Sequence, residues 1–260
     1  DKHCTYCVIP KVRGSFRSFP IEYLVNQTKK LVEGGVKEII LVAQETTLYG
    51  VDLYGKKSLP KLLHNLGLIE GLEWIRILYC YPEEINDELI EAIKNEPKVC
   101  HYLDMPIQHA SDNILKRMGR RTSKQELTDI VAKLRREIPD IALRTTLITG
   151  FPGETDVDHE EVMQFIDECE FDRLGVFTYS REEDTVAAQM PDQIDEEIKE
   201  KYRDELMQLQ QEISADRSAA MIGRIVRVMI EGFIPEDNTY VGRSYKDAPN
   251  VDGLVFVECD

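Results

Sequence analysis

The chain has 260 residues, of which 42% are hydrophobic and 31% charged, so it is globular in composition and long enough for one large domain and a small one. Its formal net charge of −16 argues against a protein that grips nucleic acid through many phosphates and points instead to a basic protein partner. No apolar run reaches the ~18–20 residues that span a bilayer and no signal-peptide pattern is seen, so no membrane association is expected.

Residues 21–35, IEYLVNQTKKLVEGG, read as a helix stopped by glycine, and 36–44, VKEIILVAQ, as a buried strand ending at Gln44. After a Gly/Tyr-rich loop, 59–69 is helical, 73–82 is a strand stopped by Pro82, and 85–96 is a helix capped by Asn86 or Asp87. A strand at 102–107, helices at 112–118 and 123–138, and a strand at 141–153 running into a Gly/Pro turn follow. Then come a helix at 155–169 with a threonine cap, a strand at 173–180 and a long amphipathic helix at 195–223. Strand and helix thus alternate from 36 to 180, which argues for βαβ units and a parallel sheet. A strand is also expected before the first helix, upstream of residue 1. A six-strand partial (β/α) barrel and a doubly wound sheet both fit, and both put their chemistry on loops at the C-terminal ends of strands. From residue 223 to 260 the pattern changes to period two with turn residues between, the start of a small antiparallel β domain after a core at 1–222.

Cysteines stand at 4, 7, 80, 100, 169 and 259; the last four are scattered and read as buried thiols, a usage that fits a reducing cytoplasm. Cys4 and Cys7 form a C-x-x-C pair that by spacing alone suits a redox dithiol, half of a zinc site, or part of an iron–sulfur site. No second C-x-x-C or H-x-x-x-H follows to complete a zinc set, and Pro10 is expected to break the helix that follows a redox dithiol. The basic runs KVRGSFR (11–17) and KRMGRR (116–121) read as solvated loops and helix ends. GFPGET (150–155) joins strand to helix, where glycines admit a ligand to the backbone and the helix start offers N–H groups.

Taken in order, CTYCVIPKVRG, LVAQETTLYG, LDMPIQHASDNILKRMGR, RTTLITGFPGET and GVFTYSREEDTVAA closely resemble the radical S-adenosylmethionine methylthiotransferases. The resemblance spans essentially the whole chain. It implies a partial (β/α)6 TIM-like barrel whose first strand precedes residue 1, followed by the start of a TRAM domain, a small β barrel. The family's C-x-x-x-C-x-x-C motif carries an aromatic before its last cysteine. Cys4 and Cys7 match its second and third positions, with Tyr6 the aromatic, and the first cysteine is expected immediately before Asp1. Three thiolates hold a 4Fe–4S cluster and leave one iron open to the amino and carboxylate groups of S-adenosylmethionine. A chain supplying only Cys4 and Cys7 is expected to hold that cluster poorly.

The resemblance also implies cofactor contacts: Tyr6 beside the cluster and adenine, Gln44 near the methionyl amine, Gln108 and Ser111 at the ribose or carboxylate, and Thr146, Gly150 and Phe151 along the adenosine. Ser111 is at the same time a helix cap, and His109 reads as structural. The family reaction needs an electron donor: reductive cleavage releases a 5′-deoxyadenosyl radical that abstracts a hydrogen, and a methylated sulfur at a second iron–sulfur cluster in an N-terminal domain then joins the carbon radical. Two branches exist. One modifies a tRNA adenosine, the other the β-carbon of an aspartate in the decoding-centre protein of the small ribosomal subunit. VIPKVRGSFRS, AQETTLYG and PIQHAS resemble the ribosomal-protein branch, where the tRNA branch tends to VPYTRGEE, GQNVNAY and PVQSGS. The charge of −16 suits a basic ribosomal protein and repels tRNA. A noncatalytic scaffold for ribosomal proteins and a dithiol oxidoreductase are the rival classes.

Overall fold

The computed structural model describes residues 2–258. The chain opens with a short helix, α1 (Ile9–Arg13), where Pro10 was expected to forbid one. Proline sits here in the first turn, where its missing N–H has no intrahelical acceptor to lose, so it starts the helix instead of breaking it. There follow α2 (Ile21–Glu33), β1 (Glu38–Leu41), a one-turn α3 (Val51–Tyr54) within the expected loop, α4 (Leu59–Gly67) and β2 (Trp74–Ile77). Next are α5 (Asp87–Asn95), capped by Asn86 through the Leu89 N–H, and β3 (Val99–Asp104). This strand starts three residues earlier than its sequence suggests and ends before Pro106, which has no N–H for a ladder. Then come α6 (Asp112–Arg117), α7 (Lys124–Glu137), β4 (Ala142–Thr149), α8 (Asp156–Cys169), β5 (Arg173–Thr178) and α9 (Glu196–Ala219).

Strands β1 to β5 pair in parallel in the order of the sequence. A doubly wound sheet reverses direction at a switch point; this one advances monotonically, the arrangement of a barrel wall. Alternate strand residues face opposite ways. Ile75, Ile77, Leu103 and Leu143 join the large core beneath the helices. Trp74, Cys100, Tyr102 and Ala142 form a second core on the inner face, closed by Ala248. Cys80, Cys100 and Cys169 are buried, as their isolation suggested, whereas Cys259 lies outside the described residues.

Beyond α9, β6 (Met229–Ile234), β7 (Thr239–Arg243) and β8 (Val255–Glu258) form an antiparallel sheet. The segment between β7 and β8 is docked on the barrel's inner face by charge. The Arg76 guanidinium, wholly buried, donates to Glu38 Oε1 (2.7 Å) and the Tyr245 carbonyl (2.6 Å), and lies 4.6 Å from the Tyr102 ring. Glu38 Oε2 accepts from Arg243 (2.7 Å), Arg173 pairs with Asp247 (2.7 Å), and the Tyr102 hydroxyl donates to Asp252 (2.7 Å). A buried ion pair that loses one partner leaves an uncompensated charge. Arg76→Met is therefore expected to cost about 3 kcal/mol in denaturant unfolding and to speed amide exchange in residues 244–252.

Asp172, also buried, accepts the Leu143 N–H (3.0 Å) and pairs with Lys246 (2.8 Å) and Arg217 (3.2 Å). Burial alone would raise its carboxyl, but the two cations outweigh burial and hold it below the usual range. A folded-state value below the unfolded one stabilises fully above pH ~4 and is lost as pH falls through the lower folded value. Asp172→Asn should lower stability at neutral pH and flatten its fall on the acid side, checked by urea unfolding across a pH series.

Candidate functional site

The loops after β1, β2 and β3 meet the N-terminal loop around a cleft of about 230 Å³ lined by Cys4, Tyr6, Cys7, Gln44, Glu45, Tyr79, Tyr81 and Gln108. The cysteine loop is a turn closed by the Cys7 N–H on the Cys4 carbonyl (3.1 Å). Thr5 pins it from three sides. Its N–H donates to the Met118 carbonyl (2.9 Å), its hydroxyl to the Arg117 carbonyl (2.8 Å), and its own carbonyl accepts the Ala187 N–H (2.9 Å). Gly119 has φ +74, and a Cβ there would sit 3.1 Å from the His3 carbonyl oxygen. The KRMGRR segment is thus the floor under the cysteine loop, a correction to its reading as a solvated end. Arg13 and Arg17 of the other basic run are exposed, as expected.

Cys4 is buried, and its Sγ lies 3.4 Å from the Tyr81 hydroxyl. Cys7 is half-buried, and burial raises its thiol. Tyr6 packs edge-on against Phe151, ring centroids 6.3 Å apart, and Phe151 in turn against Tyr179 at 5.4 Å.

Two buried charged groups carried no signal in the sequence, Glu45 in the cleft lining and Arg120 in the adjoining cavity that shares Cys4 and Tyr81. Arg120 is 7% exposed; it lies 4.2 Å from the Tyr81 ring and donates to the Pro106 carbonyl (2.8 Å). Its Nε and Nη1 have no hydrogen-bond partner among the described residues. Glu45 is 4% exposed; its Oε1 accepts the Thr47 N–H (3.0 Å), while Oε2 has no partner among the described residues. Burial raises its carboxyl, opposed by the Thr47 bonds. A buried cation and a buried carboxylate, each with unused hydrogen-bonding capacity, suit a zwitterionic ligand with its own carboxylate and ammonium.

Gln44 lies exposed in the loop three residues beyond β1, not at the strand's end. Tyr79 and Gln108 follow β2 and β3 in left-handed backbone, φ +61 and +71. Such conformations cost a non-glycine residue roughly 1–2 kcal/mol and persist where surrounding bonds impose them. Tyr79 is held by its N–H to Asp104 Oδ2 (3.1 Å) and by its carbonyl, which accepts the Thr46 N–H (3.0 Å). Gln108 is stitched to β4, donating to the Thr146 carbonyl (2.9 Å) and accepting from Ile148 (2.8 Å).

The structure therefore gathers Cys4, Tyr6, Cys7, Gln44 and Gln108, and leaves Ser111, Thr146, Gly150 and Phe151 outside the cleft lining. Thr146 acts through its carbonyl on Gln108. The Ser111 hydroxyl makes no cap bond; it donates to Asp158 Oδ1 (2.6 Å), and Asp158 completes a capping box with Thr155 at the start of α8. The free N–H groups expected of GFPGET are already used: Gly150 and Phe151 both donate to Glu154 Oε2 (2.6 and 3.0 Å). His109 is structural, accepting the Ser111 N–H at Nδ1 (3.0 Å) with Nε2 3.3 Å from Glu154.

Gly150 has φ +71, and a Cβ there would overlap the Lys199 side chain. The glycine therefore serves the close approach of α9. Gly150→Ala should lower stability by at least about 2 kcal/mol through backbone strain and overpacking, read as a lower thermal midpoint.

Among the described residues no group of three or more His, Cys, Asp or Glu side chains converges to hold a metal ion. The two thiols on one cleft wall are nevertheless soft donors suited to iron–sulfur ligation. The sequence matches the Radical SAM superfamily over residues 1–166 and the TRAM domain over 222–260. It is 64% identical over 257 residues to a ribosomal protein uS12 methylthiotransferase RimO of Lachnoclostridium phytofermentans, covering 99% of this chain and 58% of that protein. It is 54% identical over 258 residues to the protein of that name in Clostridium perfringens, again covering 99% of this chain and 58% of the relative. The chain thus spans less than two thirds of the curated relatives it matches. In fold it resembles coproporphyrinogen III oxidase (HemN) of Escherichia coli (TM-score 0.57, 18% identity, 82% of this chain and 50% of that one). It also resembles the S-adenosylmethionine methyltransferase TsrM of Kitasatospora setae (TM-score 0.56, 16% identity, 68% and 34%). With the parallel barrel wall and its cysteine-lined cleft, the match over residues 1–166 shows that the chain belongs to the radical SAM superfamily.

Proposed function

We propose that this chain is the cofactor-binding core of an enzyme that adds a methylthio group to the β-carbon of an aspartate in ribosomal protein uS12. The observation that carries the reading is the single cleft that unites Cys4, Cys7, Tyr6, Gln44 and Gln108, in a chain 64% identical to a relative of that named activity. The net charge of −16 supports a basic protein substrate over a tRNA, and the reaction belongs in the cytoplasm with the ribosome. The core spans residues 1–222 and the TRAM-like part 223–260.

Cys4 and Cys7 would hold a 4Fe–4S cluster, together with a third cysteine expected immediately before Asp1. When bound, the cluster supplies one-electron reduction and an open iron position for S-adenosylmethionine. The chain's residues bind and orient. Arg120, with two unused N–H groups, would receive the methionyl carboxylate, and Glu45 Oε2, without a partner among the described residues, would accept from the ammonium group near Gln44. Tyr6, braced by Phe151, would pack beside the adenine, and Gln108 would offer its amide to the ribose from a backbone fixed on Thr146 and Ile148. Ser111, Thr146, Gly150 and Phe151 support these contacts from behind. A second cluster in a separate N-terminal domain carries the sulfur, and an electron donor completes the system.

The test is the full-length protein, reconstituted anaerobically with iron and sulfide and given S-adenosylmethionine, dithionite and either uS12 or unmodified tRNA. Intact-mass and peptide analysis should find one methylthio group on a uS12 aspartate and none on tRNA. Modification of a tRNA adenosine would move the protein to the other branch, and a loss of all product in Cys4→Ala is expected alongside loss of bound iron. Arg120→Gln should weaken S-adenosylmethionine binding at least tenfold by calorimetry, as a charged hydrogen bond contributes about 1.5–3 kcal/mol.

A further inference from the structure

We infer that the Tyr81 hydroxyl is a positioning group for the cluster, a hydrogen-bond donor to the Cys4 thiolate that sets the potential at which the site accepts its electron. The inference rests on the reading of Cys4 as a cluster ligand. Tyr81 Oη and Cys4 Sγ are 3.4 Å apart, and in the thiol either atom is able to donate. A thiolate bound to iron has no proton, which leaves the phenol as donor. The pair is held from both sides of the chain. Cys4 is carried by the loop that Thr5 anchors. Tyr81, at the end of the β2 loop, has the Arg120 guanidinium over its ring at 4.2 Å and the Lys2 ammonium at 5.0 Å.

Those cations are themselves fixed. Arg120 donates to the Pro106 carbonyl (2.8 Å), and Lys2 pairs with Glu83 (3.2 Å) and Glu84 (2.6 Å). Two cations against the ring face hold it in place and draw electron density from the phenol, which strengthens its O–H as a donor. A hydrogen bond to a cluster sulfur stabilises the more negative, reduced state more than the oxidised one, and so raises the reduction potential. The Cys7 sulfur is met by the Ile9 backbone N–H, and its own N–H is spent on the Cys4 carbonyl. Cys4 is thus the ligand met by phenol hydroxyls, those of Tyr81 and Tyr6, and Cys7 the one met by backbone.

Tyr81→Phe deletes the hydroxyl and keeps the ring that both cations cover. In the full-length protein, reconstituted anaerobically, iron and sulfide content should match the wild type. A dithionite titration followed by electron paramagnetic resonance should place the one-electron midpoint at more negative potential. The expected change is on the order of tenfold in the reduced-to-oxidised ratio at fixed potential, or ~59 mV for one electron. Wild-type protein exchanged into deuterium oxide should show, among the deuterons coupled to the reduced cluster in electron–nuclear double resonance, one from the Tyr81 hydroxyl that is missing from Tyr81→Phe. A loaded variant with the wild-type midpoint and the same coupled deuterons would overturn the inference. So would a variant that folds but no longer loads iron, because Tyr81 would then serve assembly and not tuning. Failure of the wild-type protein itself to bind iron would instead strike at the cluster reading.

Discussion

Thr5 is the point on which the site depends. A loop of two cysteines has no secondary structure of its own to fix it, and a cluster ligand must be held to fractions of an ångström. Three bonds from one residue tie this loop to the end of α6 and to the turn at Ala187. Those two segments are far apart in sequence and follow different strands. The thiols therefore inherit their position from the barrel as a whole, and any slip in the packing of α6 moves them.

The cleft is built from strand ends that leave the sheet in unusual ways. Tyr79 and Gln108 take left-handed backbone two residues after β2 and four after β3, and in each case bonds to a neighbouring strand impose it. Asp104 illustrates the economy of this arrangement. One oxygen accepts from Tyr79 at the cleft, and the other pairs with Arg144 (2.7 Å), which in turn lies 3.5 Å from Asp252 in the docked C-terminal segment. The inner face of the barrel thus carries charged side chains beside its apolar cluster of Trp74, Cys100, Tyr102 and Ala142. The charges are tolerated because each finds a partner of opposite sign or a carbonyl.

Much of the architecture was legible in the order of elements. Short buried strands alternating with helical runs announced the parallel wall, and the caps Asn86 and Thr155 marked helix starts, whereas the last long helix ends at Ala219, four residues before the glycine at 223. Pro10 misled, because the sequence does not say whether a proline falls inside a helix or in its first turn. GFPGET misled differently: its glycine was read as making room for a ligand, whereas the structure fills that room with Lys199 and turns the loop's N–H groups onto its own Glu154.

Arg120, Glu45 and Tyr81 were not legible, for a shared reason. An arginine in KRMGRR, a glutamate in AQET and a tyrosine in LYCYP look like ordinary surface or strand residues, since burial and orphaned hydrogen-bonding atoms are properties of the folded surroundings. Local sequence by itself determined the element types and the motif order, because these depend on propensity and spacing along the chain, while the spacing of the thiol pair left its chemistry open. The tertiary structure alone decided which strand ends meet, which charges lose their water and which sulfur gains a phenol. Those outcomes depend on contacts between residues far apart in the chain, 77 positions for Cys4 and Tyr81 and 205 for Glu38 and Arg243, and no local pattern encodes them.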